Sequence, residues 1–394
     1  GEPFEWEFIE PDRHGDWINQ RDDSWYNFAP LGLNKGKPPY GLFAMFSPGK
    51  NTSRDAWVYN FSKKALSTNV RRTIGFYAHE LSENKNSSNV DNDATGISWS
   101  PDLKNKLDKG ESISFVEDSI CLSSYRPYFK QYYYSDSALT VRPGKDETFH
   151  DNIYLCVSRG LKASCLITDQ IPDFHYVGDT QCFPLYWYEE SKSAEGLFVN
   201  GDVKRGYVRH DAITDETLRV FRASYPNVFG GGKGRTIEQA KADGLPSKIA
   251  NSNERFDVNK VDIFYYVYGI LHSPEYRSRF EANLQKELPR IPLSRNFREF
   301  CAAGRALAKL HLGYEAIEPW PVKEVGLTLL PGPVQKIKWG KRKDPETGKK
   351  VDDHTVLIYN ENLVIKDIPE AAQRYTVNGR SPLEWGIDRY QVKT

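Results

Sequence analysis

Several places in this chain carry residue types that can do covalent chemistry, and each lacks a part the chemistry needs. Lys37-Pro38-Pro39-Tyr40 is shaped like the N-P-P-Y turn that holds an adenine flipped out of a duplex. In that turn a side-chain amide accepts hydrogens from the target amine and the tyrosine stacks on the base; Lys37 has only donors. Gly230-Gly231-Gly232-Lys233-Gly234-Arg235-Thr236 has the glycine content of a phosphate loop, but Gly234 follows the lysine where a hydroxyl should ligate magnesium. His150-Asp151 and His210-Asp211 are isolated His–Asp neighbours with no further ligand at regular spacing. Asp169, Asp173 and Asp179 lack the Glu-x-Lys strand of a carboxylate nuclease, and no G-x-S-x-G or H-E-x-x-H motif occurs. On this reading the chain performs no covalent chemistry of its own.

The elements around these residues are mixed. Leu66, Val70, Ile74, Tyr77 and Leu81 recur at helical spacing, so a helix is predicted from Ser62 to about Leu81. Ser82 to Asn92 is rich in Ser and Asn and reads as a loop. Strands are expected at Tyr132–Tyr134, Ile153–Val157 and Cys165–Thr168. From Phe229 to Asn259 the pattern reads as a long irregular insertion. A helical hairpin then follows. Val261, Phe264, Tyr265, Tyr268 and Leu271 form one apolar face. Ser273-Pro274 stops the first helix and caps the second, which buries Tyr276, Phe280 and Leu284 and ends at Leu288-Pro289. A further helix runs from Ser294 to about Leu312, and the tail carries strands near 334–339, 355–359 and 363–365 before a short last helix. Trp17, Trp57 and Trp385 read as core anchors. The fold class is α+β: a mixed, sheet-rich domain with a helical hairpin or bundle subdomain and a smaller N-terminal α/β part.

Charge and cysteine usage bound the function classes. Lys plus Arg and Asp plus Glu are equal at 53 each, which counts against a dedicated polyanion binder standing alone. The charge is unevenly spread, because Lys336, Lys338, Lys341, Arg342, Lys343, Lys349 and Lys350 crowd around a turn, Asp344-Pro345-Glu346-Thr347-Gly348. Such runs are ordinarily solvated hairpin tips. The five cysteines are odd in number and never closely paired, which fits a reduced, cytoplasmic setting better than a disulfide or zinc framework. No apolar run approaches the roughly 18 residues of a membrane span.

The hairpin wording, DIFYYVYGILHSPEYRSRFEANLQKELPRIPL from Asp262 to Leu293, resembles the C-terminal specificity region of Type ISP restriction–modification enzymes. The resemblance continues at GDWINQRD (Gly15–Asp22), SRDAWVYNFS (Ser53–Ser62) and Tyr125-Arg126-Pro127-Tyr128, where the family more often ends in Phe. It is also carried by Ile171-Pro172-Asp173, by TQCFPLY (Thr180–Tyr186) and by VNGRSPLEW (Val377–Trp385). These matches fall in the family's order over nearly the whole chain. The family's polypeptides join a nuclease, a helicase-like motor, an adenine methyltransferase and a target-recognition domain.

The resemblance implies a fragment that binds a short asymmetric site in double-stranded DNA and presents an adenine to the methyltransferase domain of its parent. S-adenosylmethionine, ATP and magnesium would belong to the parent's other domains, and none to this fragment. It implies a division into 1–115, an α/β part linking to the methyltransferase, and 116–394, the specificity domain, with a helical subdomain at 258–313 and a β-rich tail at 331–394. Phosphate and base-edge contacts call for Arg, Lys, Asn and Gln on loops. By type and position the candidates are Arg126, Lys130, Arg142, Arg159, Gln170, Arg277, Arg279, Arg290, Lys341, Arg342 and Lys343. Arg126 has an alternative reading, as the partner of a carboxylate that orders the fold, and Arg277 and Arg279 as solvated helix charges. The competing function is a module that docks motor to methyltransferase without reading sequence; an independent hydrolase is a third.

Overall fold

A computed structural model of the chain describes residues 7–32, 41–93, 96–141, 151–159, 164–190, 203–204, 207–229, 234–326, 332, 334 and 336–390. It is a mixed α and β structure, as expected. The chain divides into two compact units, each built from separated segments. The first takes Gly1–Gly49, Pro143–Gln170 and Gly178–Leu312, and the second Lys50–Arg142, Ile171–Val177 and Gly313–Thr394. The expected contiguous division at about residue 115 does not follow these lines. Segment pairing is set by strand partners far apart in sequence, which local pattern does not show.

The first unit centres on two buried helices, Lys260–Leu271 and Phe297–Leu312. Residues 261–264 and 266–271 of the first are all buried, so this helix is covered nearly all round and not amphipathic. The strongest turn-to-turn approach is at two glycines. A Cβ on Gly304 would collide with the Tyr265 carbonyl oxygen, and one on Gly269 with that of Phe300, so only glycine lets the backbones touch here. The helix starts on a reciprocal cap: Asn259 accepts from the Asp262 amide at 3.0 Å, and the Asp262 carboxylate accepts from the Asn259 amide at 3.1 Å. The same buried carboxylate pairs with Arg235 at 2.8 Å and Arg305 at 2.6 Å. Three segments well separated in sequence are thereby tied to one point.

Against these helices lies an antiparallel sheet in the order Ser47–Pro48, Gln181–Pro184, Tyr154–Val157, Cys165–Thr168. Tyr154–Val157 and Cys165–Thr168 are buried on both faces, which is why they read as short unbroken apolar runs. Phe43, Phe183, Phe264, Phe221 and Phe297 fill the core. A second sheet orders Tyr186–Glu190, Tyr207–Asp211 and Val203–Lys204. The span after Phe229 is not the irregular insertion expected. It folds into short helices at Ile237–Ala242 and Ser247–Ala250, the first opened by a Thr236/Gln239 capping box. In the hairpin, Ser273 and Pro274 open the second helix as predicted, but Phe280 breaks it into Pro274–Arg279 and Glu281–Lys286.

The second unit packs the helix Lys63–Ser82, capped by Ser62, and the helix Pro101–Asp108 on a sheet ordered Tyr59–Asn60, Phe129–Tyr134, Ile120–Arg126, Ile171–Pro172. Its C-terminal part is a four-stranded antiparallel sheet ordered Lys323–Gly326, Leu363–Lys366, Lys350–Ile358, Lys338–Lys343. The last helix, Pro382–Arg389, starts on a Ser381/Glu384 capping box. Trp385 is a core anchor whose indole donates to the Val377 carbonyl at 3.0 Å. Trp57 is half-buried, and Trp17, at 60% exposed, anchors no core.

Gly304→Ala should lower stability by about 1–3 kcal/mol, because the added methyl has only a backbone carbonyl to displace. Gly75→Ala, on an exposed helix position with nothing within 4 Å, should instead raise it by about 0.5–1 kcal/mol. Urea unfolding midpoints of the two variants should move in opposite directions.

Candidate nucleic-acid interface

In the first unit, strands Tyr186–Glu190 and Tyr207–Asp211 pair so that Trp187 lies opposite His210 and Tyr188 opposite Arg209. The Trp187 and His210 rings stack at 4.2 Å with an 18° tilt, and the Arg209 guanidinium lies 4.4 Å over the Tyr186 ring. These groups form the floor of a cleft of about 650 Å³. Its walls come from the start of the helix Asp215–Ser224, from Lys248 and Ile249, from Glu254, and from Lys260 at the head of the buried helix. Lys260 is held between Asp215 at 2.6 Å and Asp211 at 3.5 Å. Burial pushes the Tyr186 phenol up to about 12, so it stays a neutral donor. Arg209, Lys248 and Lys260 are matched by Asp211, Asp215 and Glu254. A charge-balanced cleft with an aromatic floor suits a planar, hydrogen-bonding ligand such as a base edge better than a row of phosphates.

In the second unit, the cations that stand out are on the hairpin of strands Lys338–Lys343 and Lys350–Ile358. Lys341, Arg342, Lys343, Lys349 and Lys350 are all exposed. Arg126 behaves in the opposite way. Its side chain is 6% exposed, donates to Asp173 at 2.6 Å, lies 3.6 Å from Asp55, and stacks over the Tyr125 ring at 3.9 Å. Tyr125 donates to the same Asp55 at 2.9 Å, and the His175 amide donates to Asp173 at 2.8 Å. Desolvation dominates at Asp173 and lifts its carboxyl to about 7 despite the arginine beside it. Among the described residues no cluster of His, Cys, Asp and Glu is arranged to hold a metal.

A family model described as the Type ISP C-terminal specificity domain matches residues 41–394. The chain belongs to that family. Among solved structures it is similar to a nuclease-deletion mutant of the Type ISP restriction–modification enzyme LlaGI in complex with a DNA substrate mimic, at 33% identity over 99% of this chain and 27% of that one, with a TM-score of 0.72. It is similar to the ATP-dependent Type ISP enzyme LlaBIII bound to DNA, at 29% identity over 98% of this chain and 22% of that one, TM-score 0.74. It also matches DrdV in a DNA complex, at 25% identity over 100% of this chain and 36% of that one, TM-score 0.74. This chain therefore spans well under two thirds of each. No curated protein matches it.

The specificity domain places the sequence-derived candidates unevenly. Arg126 is locked into the buried ion pair just described, which is its alternative reading. Lys130 donates to Glu315 at 2.7 Å and lies 5.2 Å from the Tyr314 ring. Arg142 lies outside the described residues, as do the Lys37–Tyr40 turn and Gly230–Lys233. Gln170 donates to its neighbour Asp169 at 2.9 Å. Arg279 pairs with Asp22 at 2.8 Å, and Arg290 donates to the Phe28 carbonyl at 3.3 Å while approaching Glu287 at 3.8 Å. These two therefore brace the Gly15–Asp22 segment and its successor against the hairpin, helped by Asn283, which accepts from the Asp22 amide at 3.0 Å. Arg277 lines a narrow cleft with Ser158 and Ser164, Arg159 is exposed one residue beyond Ser158, and Lys341, Arg342 and Lys343 share one strand.

The residues sequence reasoning missed are those of the larger cleft. His210-Asp211 read there as an isolated surface dipeptide. The only local signal was the strand alternation on either side, which does not say that the two strands pair.

Removing Arg126 takes from the buried Asp173 carboxylate the guanidinium that lies 2.6 Å from it. Arg126→Ala should therefore cost about 3–5 kcal/mol at pH 8. The loss should be smaller at pH 5. Asp173, with its carboxyl raised to about 7 in the folded chain, binds its proton there, so no buried charge is left exposed to the low-dielectric interior. The raised value also means that this group's contribution is present at acidic pH and is lost as pH rises toward 7. Urea titrations of both chains at the two pH values check this; equal losses would mean that the carboxylate is not the group left stranded.

Proposed function

We propose that this specificity domain recognises a short, asymmetric sequence in duplex DNA on behalf of a larger Type ISP-like polypeptide. It positions an adenine for a methyltransferase domain elsewhere in that polypeptide. The observation that carries the reading is the extent of the likeness. Nearly every residue of this chain has a counterpart in proteins solved with DNA bound. The methylation, ATP-driven translocation and cleavage of the parent would use S-adenosylmethionine, ATP and magnesium in domains outside this chain, in the cytoplasm where host DNA lies.

In this reading the aromatic-floored cleft of the first unit supplies the base-edge contacts. Arg209 and Lys248 offer donors, Glu254 and Asp211 acceptors, and both kinds are needed to tell four base pairs apart. Arg159 and Arg277 supply phosphate contacts at the smaller cleft, and Lys130 a weaker one because Glu315 already holds it.

A second reading has its own observation. Phe8, Ile9, Trp17 and Ile18 are 87%, 49%, 60% and 78% exposed on the first unit. Apolar side chains gathered on one exposed segment are characteristic of a protein-docking surface. Docking of the parent's other domains there is compatible with DNA reading, and would stand alone if the chain reads nothing.

The recognised site can be mapped from modified adenines in DNA of cells making the parent polypeptide. The purified chain should bind a duplex carrying that site, with single base-pair changes weakening it by about 5- to 150-fold, equivalent to about 1–3 kcal/mol each. Arg209→Ala should flatten the preference at one position. Equal affinity for mapped and scrambled duplexes, measured by fluorescence anisotropy, would leave the docking role alone.

A further inference from the structure

The hairpin at residues 338–358 continues beyond the sheet that supports it. Its second strand pairs with Leu363–Lys366 only at Leu357 and Ile358. A register shift at Trp339/Gly340 then separates that packed base from a two-stranded ribbon in which Gly340 faces Asp353, Lys341 faces Asp352, Arg342 faces Val351 and Lys343 faces Lys350. Beyond Gly340, which is buried at the base, both faces of the ribbon are exposed apart from partial cover at Val351 and Asp353. A ribbon with no core behind it has little intrinsic stability. Placing Lys343 directly across from Lys350 lowers it further, since like charges opposite one another repel.

The carboxylates nearby answer this charge only in part: hydrogen bonds from Thr347 and Thr355, and after them the Arg342 charge, hold Asp344 and Asp353 below the usual carboxylate range. Asp344 is turned into its own turn, accepting from the Thr347 amide at 2.7 Å, the Thr347 hydroxyl at 2.8 Å and the Glu346 amide at 3.1 Å, with Gly348 at φ +63° closing the tip. Asp352 is taken by Lys341 at 2.6 Å, and Asp353 accepts from Thr355 at 2.7 Å. What remains at the tip is Lys343, Lys349 and Lys350, with the exposed Glu346 among them, on a turn held stiff by hydrogen bonds.

We propose that this ribbon is a backbone clamp, an arm that grips the phosphates of duplex DNA without reading its sequence. The assignment to DNA rests on the function proposed above; the assignment to phosphates rests on the ribbon itself. Its cations are lysines with a single arginine, and no Asn or Gln occurs between Lys338 and Asp353. Lysine is a compact point charge suited to phosphate, whereas the bidentate readers of guanine and adenine are Arg, Asn and Gln. A phosphate between Lys343 and Lys350 also turns their mutual repulsion into a shared attraction.

The test uses the full chain, the mapped duplex and a scrambled one. The triple variant Lys343→Ala, Lys349→Ala, Lys350→Ala should lose roughly ten- to hundredfold in affinity for both duplexes at low salt. Its plot of log affinity against log salt should be shallower by about 2–3, near 0.9 for each phosphate contact removed. The ratio between the duplexes should not change. Lys350→Glu places a carboxylate opposite Lys343, so amide exchange in the ribbon should slow while DNA binding still falls. A ribbon that is merely structural gives the reverse, with binding kept or improved by Lys350→Glu. Unchanged affinity and slope in the triple variant, with the unmodified chain binding normally, would overturn the clamp alone. A changed preference ratio would overturn it in favour of base reading. If the unmodified chain binds no duplex, both the clamp and the function it rests on fail.

Discussion

The buried carboxylate of Asp262 is the point on which the first unit is organised. It closes the cap of the central helix and at the same time holds Arg235, from the segment before the short helices, and Arg305, from the partner helix. Ion pairs this deep contribute little net stability once desolvation is counted, but they admit very few arrangements. Here the permitted arrangement sets where the helix begins. Because Lys260 is the first residue of that helix, it also sets where one wall of the aromatic-floored cleft stands. The two facing glycines then allow the helices to close around this fixed start.

The second unit shows the same logic at Arg126 and Asp173. The arginine comes from the end of one strand and the carboxylate from a segment 47 residues later, beside a strand that pairs in parallel with the first. The stretch Tyr125–Tyr128, which helps carry the family likeness, is thus occupied with holding the sheet together. In Gly15–Asp22 the framing role falls to the polar end, where Asp22 is tied to Arg279 and Asn283.

How much of this could be read from the chain depended on the range of the forces involved. Helix starts at Ser62 and Ser273-Pro274 were legible, because a cap is settled within four residues; the last helix was expected without its start at Ser381. The buried strands at 154–157 and 165–168 were legible as short apolar runs. The helices of 237–250 were not, although Thr236 and Gln239 spell a capping box, because the glycines before them suggested a loop. Arg126 looked like an available cation since its partner is distant in sequence. The cleft was invisible for the same reason, its lining being gathered from 44, 186–187, 209–215, 246–260. The basic ribbon was visible as a charge run, but its register, and with it the opposition of Lys343 and Lys350, required the strands to be paired. The chain's zero net charge says nothing of how the charge is spread, since many cations are taken up in pairs while those of the 341–350 hairpin crowd together.

The interleaving of the two units bears on how such a domain can change over time. Any single recombination breakpoint between residues 50 and 312 divides both units at once, so crossover between diverged relatives would join half-cores that were never selected together. Diversification by block exchange, open to proteins whose modules are contiguous, is largely closed here. New specificities would have to arise by point changes or by replacement of single surface loops, leaving the interdigitated frame as it was.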